Sequence, residues 1–256
     1  MNKCVLITGA TSGIGLATAS EFAKNGYDLI LTGRRLERLE NIKKEINSQY
    51  DVRVTVFTFD VRHYAECEKS LASISRPIDI LINNAGLARG FDYVHEAQIE
   101  HWEEMIDTNV KGMVYMTRLV SPQMVARKSG HIINVGSSAG KEVYPRGNVY
   151  CATKFAVEGF TKAIRTELYL HNVRVSQVSP GHVEETEFAR VRFDWDTERA
   201  DIYKDFNPLT SRDVAEAIYF IASRPQHVNV QDVFMMGTQQ ASNLLIDRSG
   251  RKYDSP

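Results

Sequence analysis

The 256-residue sequence is poor in several features, and each shortage removes a class of function. Its three cysteines, Cys4, Cys67 and Cys151, lie far apart, without the spacing of a metal site or a disulfide framework. A reducing compartment and no bound structural metal are expected. The formal net charge is only -1, so no global field draws the chain toward nucleic acid or an anionic membrane. No apolar run approaches the roughly 20 residues that cross a bilayer. The first residues, MNKCVLITGA, run directly into a strand and a glycine turn. Neither a secretory signal nor a transit peptide is expected there, and the expected location is cytoplasmic. Low-complexity tracts, repeats and linkers are also missing, which points to a single domain over 1–256. What is present, 43% hydrophobic and 25% charged residues, is the balance of a globular chain that can bury a large core.

Apolar, β-branched runs alternate with helical patterns along the first half. Strands are predicted at Lys3–Thr8, Tyr27–Thr32, Val52–Phe59 and Ile78–Ile82, with helices at Gly13–Asn25, Leu36–Ser48 and Tyr64–Ser73 between them. In the second half, Ile99–Arg127 reads as one long helix and His131–Ser137 as a fifth strand. Asn148–His171 is a further helix, Val173–Ser179 a sixth strand stopped by Pro180-Gly181, Ser211–Ser223 a helix capped by Ser211, and Val228–Met236 the last strand. Strand–helix alternation with short connections implies an α/β fold, a doubly wound Rossmann-type parallel sheet with helices on both faces.

The turn after the first strand is Thr8-Gly9-Ala10-Thr11-Ser12-Gly13-Ile14-Gly15. Three glycines between a strand and a helix permit a tight turn, let backbone approach a pyrophosphate, and aim a helix N-terminus at its charge. Dinucleotide folds that prefer NAD carry an Asp or Glu at the end of the second strand, for the ribose 2′-hydroxyl. Here that place reads Thr32-Gly33-Arg34-Arg35, with no acid. An arginine fork suits the 2′-phosphate of NADP. Asp60-Val61, ending the third strand, and Asn84-Ala85-Gly86, ending the fourth, fall where such sheets bind their cofactor.

The stretch from Ser137 to Lys154 carries the chemistry. Tyr150 and Lys154 lie one helical turn apart on one face. A free tyrosine titrates near 10. A lysine cation beside it favours the phenolate, so the hydroxyl can exchange a proton with an alcohol or carbonyl oxygen. Ser137 can hydrogen-bond the same oxygen. Asn109 falls inside a long helical pattern, although asparagine is a mediocre helix former.

Taken together, Thr8–Gly15, Asn83–Gly86, Asn109, Ser137, Tyr150-x-x-x-Lys154 and Pro180-Gly181 resemble the short-chain dehydrogenase/reductase family over nearly the whole chain. The resemblance implies a seven-stranded sheet and Tyr150 as acid/base. It implies that Lys154 holds the nicotinamide ribose and lowers the tyrosine pKa, that Ser137 orients the substrate oxygen, and that Asn109 holds a relay water. It further implies that Pro180, Gly181, Val183 and Thr186 belong to a segment closing over the nicotinamide, and that the chain assembles as a homotetramer. Met105–Asn109, Val114–Arg118, Thr186-Glu187-Phe188 with Val191-Arg192-Phe193, and His227-Val228-Asn229 are similar to the NADP-dependent 3-hydroxy acid dehydrogenases, the serine or L-allo-threonine dehydrogenases that include malonic semialdehyde reductases. One departure is Glu184-Glu185, where some relatives carry glycines.

A 3-hydroxy acid needs a cation for its carboxylate. Arg146, ahead of Tyr150, and Arg190 or Arg192 are the candidates. His182 could reach the pocket, although a loop histidine satisfied by its neighbours is the expected reading. The segment 182–210, rich in charge and aromatics, is expected to form a lid of short helices, and 237–256 a polar tail. Two other functions fit the motifs: a carbonyl or 3-oxoacyl reductase acting on neutral ketones or thioesters, and a non-catalytic NADP-binding sensor. The second would be expected to have lost one of Asn109, Ser137, Tyr150 and Lys154, and all four are present.

Overall fold

The computed structural model describes residues 2–253. Seven parallel strands run in the order β3-β2-β1-β4-β5-β6-β7. They are β1 (Cys4–Thr8), β2 (Asp28–Gly33), β3 (Val54–Thr58), β4 (Ile80–Asn83), β5 (Gly130–Val135), β6 (Val173–Pro180) and β7 (Asp232–Met235). The sheet reverses its winding between β1 and β4, and ligands of open α/β sheets bind at that crevice, beyond the strands' carboxyl ends.

Helices cover both faces, which is why the central strands β1, β4, β5 and β6 are buried on every residue. In β1, Val5 and Ile7 pack on one side with Phe22 of α1 (Gly13–Lys24), Leu39 of α2 (Leu36–Gln49) and Val214 of α9 (Ser211–Ser223). Cys4 and Leu6 pack on the other side with Cys67 of α3 (Tyr64–Ala72), Met116 of α5 (Met113–Arg127) and Ile164 of α6 (Asn148–Leu168). Period-two alternation thus feeds two cores from one strand. The cysteines are buried free thiols within this packing, except that Cys151 belongs to a smaller cluster around Tyr150.

Three sequence expectations shift on inspection. The helix predicted over Ile99–Arg127 is interrupted. α4 (Ile99–Ile106) passes through a π-helical segment, Asp107–Gly112, before α5 begins, and Asn109 lies in that segment. Ser211 does not cap α9. Thr210 does, in extended backbone: its hydroxyl accepts from the Asp213 N–H and the Asp213 carboxylate accepts from the Thr210 N–H, a reciprocal box. Pro180 does not end β6 from outside; it is the last strand residue, opposite Met235, and Gly181 still donates to the Met235 carbonyl at 2.8 Å. A proline at a strand end gives up no ladder bond that the strand needs.

Segment 182–210 contains two short helices, α7 (Phe188–Arg192) and α8 (Thr197–Ala200). The described part of the tail folds back on it: Gln239 takes the Asn207 N–H, and Arg251 pairs with Glu184. Residues 254–256 of the expected tail lie outside the described residues.

Candidate active site

A cleft of about 1080 Å³ runs along the carboxyl edge of the sheet, from Arg34 at one end to Arg192 and Tyr203 at the other. The glycine turn forms its floor. A Cβ on Gly15 would lie 2.4 Å from the Gly9 carbonyl oxygen and 2.5 Å from Asn84 Nδ2, and one on Gly9 would meet the Ala85 Cα at 2.9 Å. No side chain fits at either position: Gly15 lets α1 pack tightly under the turn, and Gly9 leaves bare backbone on the cleft floor. Asn84 braces the turn by donating to the carbonyls of Thr8 and Gly9, at 2.9 and 3.2 Å. Ser12 is the N-cap of α1, with Ile14 in its first turn. Gly13 lies under Thr186, whose Cγ2 would be 3.0 Å from an added Cβ.

The two arginines after β2 are not equivalent. Arg34 keeps a 57% exposed side chain and only a 3.9 Å approach to Asp60. Arg35 turns inward, donating to Thr11 Oγ1 at 2.7 Å and to both carboxylate oxygens of Glu187 at 2.8 and 3.1 Å. Asp60 is held by Arg62 at 2.7 Å and Val61 is buried beside it. Burial would raise the Asp60 carboxyl, but the Arg62 hydrogen bonds bring it below its ordinary value.

At the cleft's centre, α6 presents Tyr150 and Lys154, both buried. Lys154 Nζ donates to the Val135 carbonyl at 3.1 Å, where β5 ends, and lies 5.9 Å from the Tyr150 ring centre. Ser137 lies two residues beyond β5 and caps a 3₁₀ turn, Ser138–Gly140, by accepting from the Ala139 N–H. The expected charge relation is reversed here. Burial pushes the Tyr150 hydroxyl well above its ordinary 10, with Tyr144 adding to the shift and Ser137 and Arg192 partly opposing it. Burial also draws Lys154 down to about 8. Two groups that both lose water favour their neutral forms, and here that effect outweighs their mutual attraction.

Asn109 reaches the site through the π segment, which turns its amide toward the backbone after β4. Its Oδ1 accepts from the Leu87 N–H and its Nδ2 donates to the Leu87 carbonyl, both at 2.8 Å, and to Thr153 Oγ1 at 3.1 Å. Both N–H donors are therefore committed, so the side chain brackets α6 to the Gly86–Leu87 strap. Beneath it, Asn83, Thr117, Asn134 and Thr161 form a buried chain of hydrogen bonds that the sequence reading missed. Amides and hydroxyls with no distinctive spacing left no signal for it.

Arg192 is the cation nearest the tyrosine. It is only 8% exposed, with its guanidinium 4.7 Å from the Phe91 ring centre, 5.6 Å from Tyr144 and 5.7 Å from Tyr150. It donates to the Tyr144 hydroxyl at 3.1 Å and the Gly90 carbonyl at 3.2 Å. Arg146 is exposed instead and stacks on Tyr93 at 4.5 Å; Arg190 is exposed on α7. Tyr144 is a pocket residue that the sequence did not flag; burial raises its pKa. His182 packs edge-on against Tyr203 and Phe206, and burial keeps it neutral. Val183, Pro180 and Gly181 line the same wall. Glu184 is neutralised by Arg251. Glu185 is exposed at φ +58°, a conformation that glycine adopts without cost.

A buried tyrosine–lysine pair, a serine beyond β5 and a side-chain-free glycine floor at the switch point define an oxidoreductase of the dinucleotide-binding type. The family model of short chain dehydrogenases matches residues 3–197, and the chain belongs to that family. It is 47% identical over 250 residues to the NADP-dependent 3-hydroxy acid dehydrogenase YdfG of Salmonella typhi, covering 96% of this chain and 99% of that protein. The NADP-dependent 3-hydroxy acid dehydrogenase of Schizosaccharomyces pombe is 44% identical, covering 93% of each. Among solved structures, the closed form of a serine dehydrogenase complexed with NADP+ superposes with a TM-score of 0.90 at 46% identity, covering 93% of this chain and 96% of that one.

Proposed function

We propose that the chain is an NADP(H)-dependent oxidoreductase acting at the carbinol carbon of a small 3-hydroxy acid, of the serine, allo-threonine or 3-hydroxypropionate/malonic semialdehyde type. The cleft suits the cofactor: Gly9 on its floor admits no Cβ, and Arg34, exposed and only loosely approached by Asp60, stands at the end where a 2′-phosphate would lie. NADP, when bound, supplies the hydride acceptor, and NADPH the donor. Gly9, Thr11, Ser12, Gly13 and Ile14 would line the pyrophosphate, with Gly15, expected there from sequence, packed beneath them instead; Asn84, Ala85 and Gly86 would line the ribose, and Asp60 and Val61 the adenine edge.

The chain's own residues handle the proton. Tyr150 Oη gives it to the carbonyl oxygen in reduction and takes it from the hydroxyl in oxidation, while the Ser137 hydroxyl holds that oxygen in line. Lys154 and Asn109 position α6 and the strap around it. Burial keeps Tyr150 protonated at neutral pH, the correct form for reduction. Oxidation therefore gains with rising pH and reduction falls.

The observation that carries the acid substrate is Arg192, a buried guanidinium in the same cleft as Tyr150. It is pre-oriented by Tyr144 and Gly90, so little freedom is lost in receiving a carboxylate. Absorbance at 340 nm tests this, with NADP offered beside L-serine, L-allo-threonine and 3-hydroxyisobutyrate, and beside neutral secondary alcohols. Preference for the acids is expected. Arg192→Gln should raise KM for acids by more than tenfold and leave that for neutral alcohols within twofold; Arg146→Gln should change neither. Equal effects of Arg192→Gln on acids and alcohols would refute the assignment.

We further propose a cytoplasmic homotetramer with segment 182–210 as a lid. In support, no described helix is long and apolar enough to cross a membrane, and α6 leaves Phe155 45% exposed.

A further inference from the structure

We propose that Glu187 is the latch that fastens the lid across the cofactor groove, with Arg35 and Arg38 as its receiver, which leaves 2′-phosphate recognition to Arg34. This rests on the reading of the cleft as an NADP site.

Glu187 immediately precedes α7. Its Oε1 accepts from Arg35 at 3.1 Å and from Arg38 at 2.6 Å, and its Oε2 accepts from Arg35 at 2.8 Å. Arg35 in turn grips Thr11 Oγ1, in the glycine turn. The contact therefore spans the groove from floor to lid, more than 150 residues apart in sequence for Arg35 and Glu187. The next residue back, Thr186, rests on Gly13. The next forward, Phe188, packs its ring 5.5 Å from that of Tyr150. At the far end of α7 the Arg192 carbonyl accepts from the Gly90 N–H at 3.0 Å, and Arg89 donates to the Val191 carbonyl. α7 is thus fixed near the substrate end by Arg89 and Gly90, and near the glycine turn by Glu187.

Charge decides that the latch forms. Burial alone would raise the Glu187 carboxyl, yet the hydrogen bonds from Arg35 and Arg38 bring it down to about 2. Its side chain is 20% exposed, while those of Arg35 and Arg38 are 38% and 48% exposed, so solvent partly screens both pairs and the latch rests on their combined hydrogen bonds. Both guanidinium NH groups of Arg35 already serve Glu187, whereas Arg34 has only the 3.9 Å approach to Asp60. An arginine committed to a carboxylate cannot also offer a phosphate a bidentate fork.

Two measurements on Glu187→Gln, with Arg38→Gln as a second variant on the exposed receiver, test the division of labour. The first is limited proteolysis of the protein without cofactor, mapping cuts between 188 and 205. Faster cutting in both variants is expected, and unchanged cutting would overturn the latch. The second is stopped-flow release of NADPH and of NADH, followed by nucleotide fluorescence. Glu187→Gln should speed release of both by the same factor, at least fivefold, because a lid retains either nucleotide. Arg34→Gln should weaken NADPH alone. If Glu187→Gln instead slows NADPH release and spares NADH, the carboxylate competes with the phosphate and the proposal is wrong. A wild-type protein that binds no NADPH would refute the cofactor reading, while the proteolysis result would still judge the latch.

Discussion

At the scale of single residues, the site is governed by how much water each group has lost. Lys154 is the clearest case. Its ammonium titrates near 10.5 when unfolded and near 8 in the folded chain, because burial penalises the charge. Between those values the unfolded chain binds more protons, so this group adds stability as pH rises from about 8 to 10.5. The difference corresponds to roughly 3 kcal/mol. Lys154→Met removes the titration and also leaves the Val135 carbonyl without its donor, a loss that does not depend on pH. Urea unfolding of both proteins at pH 7.5 and pH 10 should show the wild type gaining about 2–3 kcal/mol relative to the variant. A constant difference would mean that Lys154 is not desolvated. The same loss of water keeps Tyr150 protonated, which is why the oxidative rate should climb with pH.

At the scale of elements, two local devices place functional side chains. The π segment Asp107–Gly112 adds a residue per turn where an uninterrupted helix would carry Asn109 past Leu87. The Thr210–Asp213 box fixes the start of α9, which packs Val214 and Ile218 into the core that α1 shares. Thr210→Ala should cost about 1 kcal/mol. For a chain of this size that lowers Tm by about 2–4 °C. Ser211→Ala should have a smaller effect, and the reverse order would restore the cap to Ser211. Neither device was read in advance: the 3.6-residue period of Ile99–Arg127 runs through the π segment, and Thr210 and Ser211 are both good capping residues in sequence.

At the scale of the whole molecule, one sheet serves two cores and one cleft. The glycine turn, the Asn84–Leu87 strap, Ser137, α6 and the proposed lid all meet at its carboxyl edge. The tail bonds back to that lid through Arg251 and Glu184 and to the 3₁₀ turn through Asn243 and Ser138. An assembly would bury the apolar side chains that this unit leaves exposed, Phe155 on α6 and Tyr169 and Leu170 just beyond it. Light scattering coupled to gel filtration should give a mass near four times that of the 29.0 kDa chain. A monomer mass would set the tetramer aside without touching the site.

Strand–helix alternation, the glycine turn, the missing acid after β2 and the Tyr150–Lys154 spacing are patterns of neighbours along the chain. Local steric and periodic rules read such patterns directly, so the doubly wound sheet, the family and the meeting of Ser137, Tyr150 and Lys154 in one cleft were legible in sequence. The distant pairings were not. That Arg35 faces Glu187 while Arg34 stays exposed, that Arg192 is buried beside Tyr150 and Tyr144 while Arg146 is exposed at the cleft's edge, and that Asn109 spends its amide on Leu87 depend on side chains meeting across many residues. Burial is likewise a property of the assembled fold. It is the largest cause of the rise of Tyr150 and the cause of the fall of Lys154, because desolvation acts only once other elements have displaced the water.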